Sequence, residues 1–205
     1  MERSRSSTKR AQILQAAHQL FFENGFQVSM EVIAQQANVS KQTVYSHFKT
    51  KDELFRICME EGCEFLSNAK VVLDPDLPIE EVLYAYSWQF NQMLLQPEVQ
   101  ATYYNAISQT PTYPELGALL VEQGPQRHLN QLIEFLKIHE AKQGYPFPET
   151  IHHLATQFLL MCHGQSVYWQ WLGVKDHETE AMRQDYARSC VRSFIRSLGV
   201  HECRQ

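Results

Sequence analysis

The sequence predicts an all-α fold of about nine helices, with a small N-terminal module ahead of a larger helical body. Three observations carry this. Apolar residues recur at helical spacing along most of the chain, and no stretch reads as a convincing strand. Caps and stops (Ser, Thr, Asn, Gly and Pro) fall at helix-length intervals. Charge is divided: residues 1–56 carry a net +3 and residues 57–205 a net −8, within a total of −5. That asymmetry describes a basic module on an acidic body.

The first helix is expected from about Ser7 to Asn24. Ile13, Ala17, Leu20 and Phe21 make one face, Gly25 stops the helix, and Phe26 packs back on the last turn. Ser29 caps a second helix, Met30 to Ala37, and Asn38 suits the left-handed position of a sharp turn. Ser40 caps a third, Lys41 to about Phe48. Thr50 and Glu53 have capping-box spacing for a fourth, Lys51 to about Val72. The break Asp74-Pro75-Asp76-Leu77-Pro78 precedes a fifth helix, which ends before Pro97. A sixth spans about Glu98 to Gln109. Pro114 to Gln123 and Gln126 to Lys142 read as two helices or as one kinked element. Two long helices finish the chain, Glu149 to Trp171 and His177 to Leu198.

With 205 residues, 44% of them hydrophobic, the chain can bury a real core. It has no apolar run long enough to span a membrane and no signal-peptide pattern, so a cytoplasmic protein is expected. The five cysteines lack a Cys-x-x-Cys pair and read as free thiols. No glycine-rich phosphate loop, metal quartet or Ser-His-Asp arrangement is recognisable, so neither an enzyme, a cofactor nor a metal is expected. His152, His153 and His163 lack the spacing of a ligand set.

The second helix, tight turn and third helix form a helix-turn-helix pinned by Ile33, Ala34, Val39, Val44 and Phe48. The third helix then presents polar groups outward, as a helix in the DNA major groove must. Gln42 can offer donor and acceptor to an adenine edge, and Lys41 can reach guanine or phosphate. Thr43 can bond a phosphate or touch a thymine methyl. Tyr45 and His47 have donors suited to phosphate oxygens. Ser29, Ser40 and Lys51 sit at helix starts, Lys49 adds charge, and Arg3, Arg5, Lys9 and Arg10 could form a phosphate-tracking arm.

Residues 8–55 resemble the N-terminal domain of the TetR family of bacterial transcriptional repressors. The resemblance rests on Ile13-Leu14-x-Ala16-Ala17, Leu20-Phe21, Gly25-Phe26, Ile33-Ala34, Val39-Ser40-Lys41-x-Thr43-Val44-Tyr45-x-His47-Phe48 and Lys51-x-x-Leu54-Phe55. Asn38 and Gln42 depart from the small residues usual there. Tyr113-Pro114-Glu115-Leu116 with Glu122-x-Gly124-Pro125 looks like the AefR-like subgroup. The resemblance implies a helix-turn-helix DNA-binding domain over 1–50 and a ligand-binding and dimerisation domain over 51–205, connected by helix 51–72. It implies palindromic double-stranded operator DNA, a homodimer and a small-molecule effector of unstated identity as partners, with no membrane.

Residue types in the larger domain suit an apolar or aromatic ligand: Trp88, Gln92, Tyr103, Tyr104, Ile107, Phe158, Met161, Cys162, Gln165 and Trp169 are the candidate contacts, with Asn105 and His163 as further polar groups. The final helix carries Ala187, Cys190, Val191, Phe194 and Leu198 along one stripe, the candidate dimer seam. The function expected is a repressor released from its operator by such a ligand. The alternative is a DNA-binding regulator without a small-molecule ligand, controlled by a protein partner or by cysteine oxidation.

Overall fold

The computed structural model describes residues 2–68 and 72–199. Among these, the secondary structure is eleven α-helices and a 3-10 turn, with no strand. No helix is long and apolar enough to cross a membrane. The chain divides into two compact units, one of residues up to Leu66 plus Pro97–Gln123, the other of Ser67–Gln96 plus Gly124 onward.

In the first unit, α1 (Glu2–Asn24) leads through the 3-10 turn Gly25–Gln27 to α2 (Met30–Gln36), α3 (Lys41–His47) and α4 (Lys51–Asn68). Helix α1 starts earlier than expected, so Arg3, Arg5, Lys9 and Arg10 lie on a helix rather than an extended arm; the side chains of Arg3 and Arg5 are outside the described residues. Local chemistry sets the boundaries. Ser29 Oγ accepts from Val32 N at 3.3 Å and Ser40 Oγ from Thr43 N at 3.1 Å. Asn38 takes φ +52°, as the turn requires. Thr50 Oγ1 accepts from Glu53 N, while Glu53 Oε2 accepts from Lys49 N, one residue before the donor a capping box uses. Ile33, Ala34, Val44 and Phe48 are buried and Val39 is half-buried. The end of α4 at Asn68 falls short of Val72, which is not helical; residues 69–71 lie outside the described set.

Helices α6 (Pro97–Gln109) and α7 (Pro114–Gln123) complete this unit. The buried Asn105 amide donates to Phe21 O at 3.0 Å, and the Tyr113 ring meets Phe26 edge-on at 4.9 Å. Phe26 in turn meets Phe55 at 5.0 Å. These contacts give the small three-helix module the extra core it needs.

The second unit holds α5 (Ile79–Leu94), α8 (Pro125–Gln143), α9 (Ile151–Met161), α10 (Gly164–Trp171) and α11 (Glu180–Ser197). Tyr86, Phe90, Phe158, Phe194 and Leu132 form its centre, each at most 2% exposed. Two breaks raise the helix count above nine. Gly124 separates α7 from α8. The long helix expected over 149–171 is split at Cys162-His163, because Gly164 takes φ +65° and the Asn91 amide caps the freed carbonyls: Nδ2 donates to His163 O at 2.7 Å and reaches Cys162 O at 3.4 Å.

Candidate nucleic-acid interface

Helix α3 is sorted by physics into two faces. Val44 and Phe48 are 0% and 1% exposed, while Lys41, Gln42, Tyr45 and Ser46 are exposed and Thr43 and His47 half-exposed. Seven residues make a rod about 10 Å long, a size the major groove admits. The rod's base is anchored in the core. Phe48 N–H donates to Val44 O at 2.8 Å, and the Arg10 guanidinium lies 5.3 Å over the Phe48 ring.

The expected contact residues differ in how they are held. Gln42, Tyr45 and Lys49 project to solvent. Ser29 and Ser40 are exposed but serve as caps, and Ser40 Oγ lies 2.8 Å from Thr43 Oγ1, so those hydroxyls are partly committed. His47 sits at the end of α3 beside the Phe48 ring. Lys51 is turned inward: its ammonium donates to Phe26 O at 2.8 Å and lies 4.0 Å over the Phe26 ring. It ties α4 to the 3-10 turn rather than reaching outward. Lys41 is paired with Glu31 of α2 and lies 5.8 Å over the Tyr45 ring. Glu31 and Ser46 are not among the expected residues. Sequence spacing gives no sign of Glu31 reaching Lys41, because the two lie on different helices. Elsewhere in the first unit, Phe26, Phe55, Tyr113, Asp52, Glu53, Arg56 and Glu115 line a cleft of about 130 Å³.

The residues expected to contact a ligand are divided between the units. Trp88, Gln92, Phe158, Met161, Cys162, Gln165 and Trp169 belong to the second, and Tyr103, Tyr104 and Ile107 to the first. Phe158 and Cys162 are buried core, whereas Tyr104 and Ile107 are 63% and 58% exposed. Gln165 is exposed and donates to Glu178 Oε1 at 3.0 Å. Trp88, Gln92 and Met161 are half-buried, and the Gln92 Nε2 is buried without a hydrogen-bond partner. Asn105 is committed to Phe21 O, a structural role.

Polar groups enclosed in the second unit cluster around Phe90. His128 and His163 meet that ring edge-on at 4.9 and 5.5 Å, and the Tyr86 hydroxyl shares a 3.3 Å hydrogen bond with His128 Nδ1. Burial, with Arg127 adding to it, pushes His128 down to about 4. Burial lowers His163 as well, while its Nδ1–H donates to Leu159 O. Among the described residues no group of three or more His, Cys, Asp or Glu could hold a metal.

The stripe Ala187, Cys190, Val191, Phe194 and Leu198, the seam expected from the sequence, is buried. Each is at most 5% exposed within its own chain. The stripe packs inward: Phe194 lies 4.6 Å from Phe158, and Cys190 Sγ approaches Met161 O at 3.6 Å. The exposed apolar residues of this region are instead Tyr168, Trp169, Leu172, Val174, Met182 and Tyr186, on α10, the following turn and α11.

Comparison with known proteins places this architecture. Residues 13–58 match the family described as bacterial regulatory proteins, tetR family, and residues 81–199 match the AefR-like transcriptional repressor C-terminal domain. The chain belongs to the tetR family. A tetR-family transcriptional regulator from Mesorhizobium loti has the same fold, with a TM-score of 0.80 and 23% identity, covering 94% of this chain and 97% of that one. The flavonoid-responsive regulator FrrA gives a TM-score of 0.76 at 28% identity, over 93% of this chain and 97% of FrrA. The helix-turn-helix transcriptional regulator YhgD of Bacillus subtilis is 28% identical over 127 residues, 61% of this chain. The match spans 63% of YhgD's length. In tetR-family terms, α2 and α3 are the helix-turn-helix, and the AefR-like domain begins within α5.

Proposed function

We propose that this tetR-family protein is a homodimeric, sequence-specific DNA-binding repressor, released from a palindromic operator by a small, largely aromatic ligand. The observation that carries it is the division of α3: Gln42 and Tyr45 outward, Val44 and Phe48 locked inward. A groove-reading helix needs hydrogen-bonding groups free on one side and a rigid anchor on the other. Gln42 is the residue best suited to read a base, while Tyr45, His47 and Lys49 position the helix on phosphates.

The dimer forms through the exposed apolar face of α10 and α11, around Trp169, Leu172 and Tyr186. Twofold symmetry would set two α3 helices on half-sites about 34–36 Å apart. A ligand of aromatic character is supported by the aromatic and polar residues gathered around Phe90 in the second unit and by the likeness to a flavonoid-responsive regulator.

The ligand must bind the DNA-free state more tightly, and DNA must weaken ligand binding by the same factor. The test is a titration of flavonoids into the protein with and without a DNA fragment it retains. Release of DNA, with weaker flavonoid binding in its presence, is the expected result. Equal ligand affinity in both cases would contradict effector release.

A further inference from the structure

Beyond the caps that Ser29 and Ser40 make, and the hydrogen bonds the Glu31 carboxylate accepts from its own backbone N–H and the Ser29 hydroxyl, stands the pair formed by Glu31 and Lys41. It joins the first turn of α2 to the first residue of α3, and the same ammonium lies over the Tyr45 ring. Both side chains are more than half exposed, 53% for Lys41 and 56% for Glu31. Lys41 and Tyr45 stand one turn apart, next to Gln42, on the surface that would face DNA. Lys41 therefore meets a carboxylate from its own chain before it meets any phosphate.

We propose that Glu31 is a specificity-determining positioning residue: an internal counter-ion that withholds Lys41 from random phosphates and yields it to a better acceptor, such as the O6/N7 edge of guanine. This rests on the DNA-binding function proposed above. A lysine held by Glu31 releases no counterion from random DNA, so that binding lacks roughly one ionic contact. At a site presenting a guanine edge within reach, the pair opens and Lys41 adds a directed contact. The side-chain hydrogen bond of the pair lowers the Glu31 carboxyl and raises the Lys41 ammonium from their ordinary values, so both stay charged around neutral pH. The pair is solvent-exposed, so its effect is modest and salt-sensitive.

The test measures binding of the full chain to a random-sequence duplex by fluorescence anisotropy across a KCl series. Wild type is compared with Glu31→Gln, Glu31→Asp, Lys41→Gln and the double variant Glu31→Gln/Lys41→Gln. Glu31→Gln is expected to bind random DNA roughly 2–5-fold more tightly. Its log–log salt slope should steepen by about 0.9. Glu31→Asp should keep the wild-type slope, and the effect of Glu31→Gln should vanish when Lys41 is absent. An equal gain in the Lys41→Gln background would mean that only a repulsive charge had been removed, and would overturn the proposal. So would an unchanged slope in Glu31→Gln. Absence of salt-dependent binding in every protein, wild type included, would overturn the DNA-binding function itself and this inference with it.

Discussion

Phe48→Ala tests how α3 is held. The ring is 1% exposed and lies under Arg10, and the Phe48 backbone N–H donates to Val44 O, closing the last turn of α3. Truncating a buried Phe to Ala costs about 3–5 kcal/mol. Loss of the guanidinium over the ring adds about 0.5–1 kcal/mol. Against a domain stability of about 5–15 kcal/mol, this removes a large share. Trp88, Trp169 and Trp171 all belong to the second unit, so their fluorescence does not report on this site. Amide hydrogen exchange does: the Val44 and Phe48 amides donate to Ser40 O and Val44 O. Their protection should fall by about two orders of magnitude or more, since each 1.4 kcal/mol is tenfold. DNA retention should fall with it, because an unanchored α3 presents no fixed surface. Protection reduced less than about tenfold would refute the placement of Phe48 as the anchor of the reading helix.

Four further outcomes are expected. Gly164→Ala should lower the melting temperature more than Gly173→Ala: both glycines have φ +65°, but a Cβ at 164 would also meet Asn91 Nδ2 at 3.2 Å, whereas nothing lies within 4 Å at 173; equal shifts would contradict the crowding at Asn91. His128 has a folded-state value of about 4, below the ordinary 6.5, so its contribution is fully present above pH 6.5 and is lost as pH falls toward 4. That contribution is about 3 kcal/mol, and His128→Gln should flatten the pH dependence of the melting temperature between pH 6.5 and 4. Burial raises the thiols of Cys58, Cys162 (to about 12) and Cys190, so native protein at pH 8 should react slowly with iodoacetamide at all three; rapid labelling at any would revive control by cysteine oxidation. Trp169→Glu should raise the dimer dissociation constant at least tenfold in sedimentation equilibrium, as loss of an apolar interface anchor does, and an unchanged dimer would move the seam elsewhere.

How much is legible in the sequence depends on whether a signal is local. Ser29, Asn38, Ser40 and Thr50 act within three or four residues, so the helix-turn-helix can be read with its caps and its buried pins. The outward face of α3 follows from the same periodicity. Gly164 is different. A lone glycine inside an apolar periodic run looks tolerable, and only the Asn91 amide, 72 positions from His163, reveals the break. The stripe of α11 shows that one face must be covered, but periodicity does not say by what. Phe158 and Met161 of the same chain do so. Tyr103, Tyr104 and Ile107 match residues of the second unit in chemistry, whereas helix packing places α6 with α1. The Glu31–Lys41 pair and the inward turn of Lys51 are tertiary facts with no local signature.

The most direct measurement is capture of fragmented DNA from the organism's own genome by the purified full chain, at near-physiological salt, followed by sequencing of what is retained. Wild type should retain one or a few sites sharing a palindrome, and Gln42→Ala should lose the preference for those sites while keeping salt-dependent binding. Uniform retention without a shared palindrome, equal in wild type and Gln42→Ala, would contradict sequence reading by α3 and leave only phosphate binding.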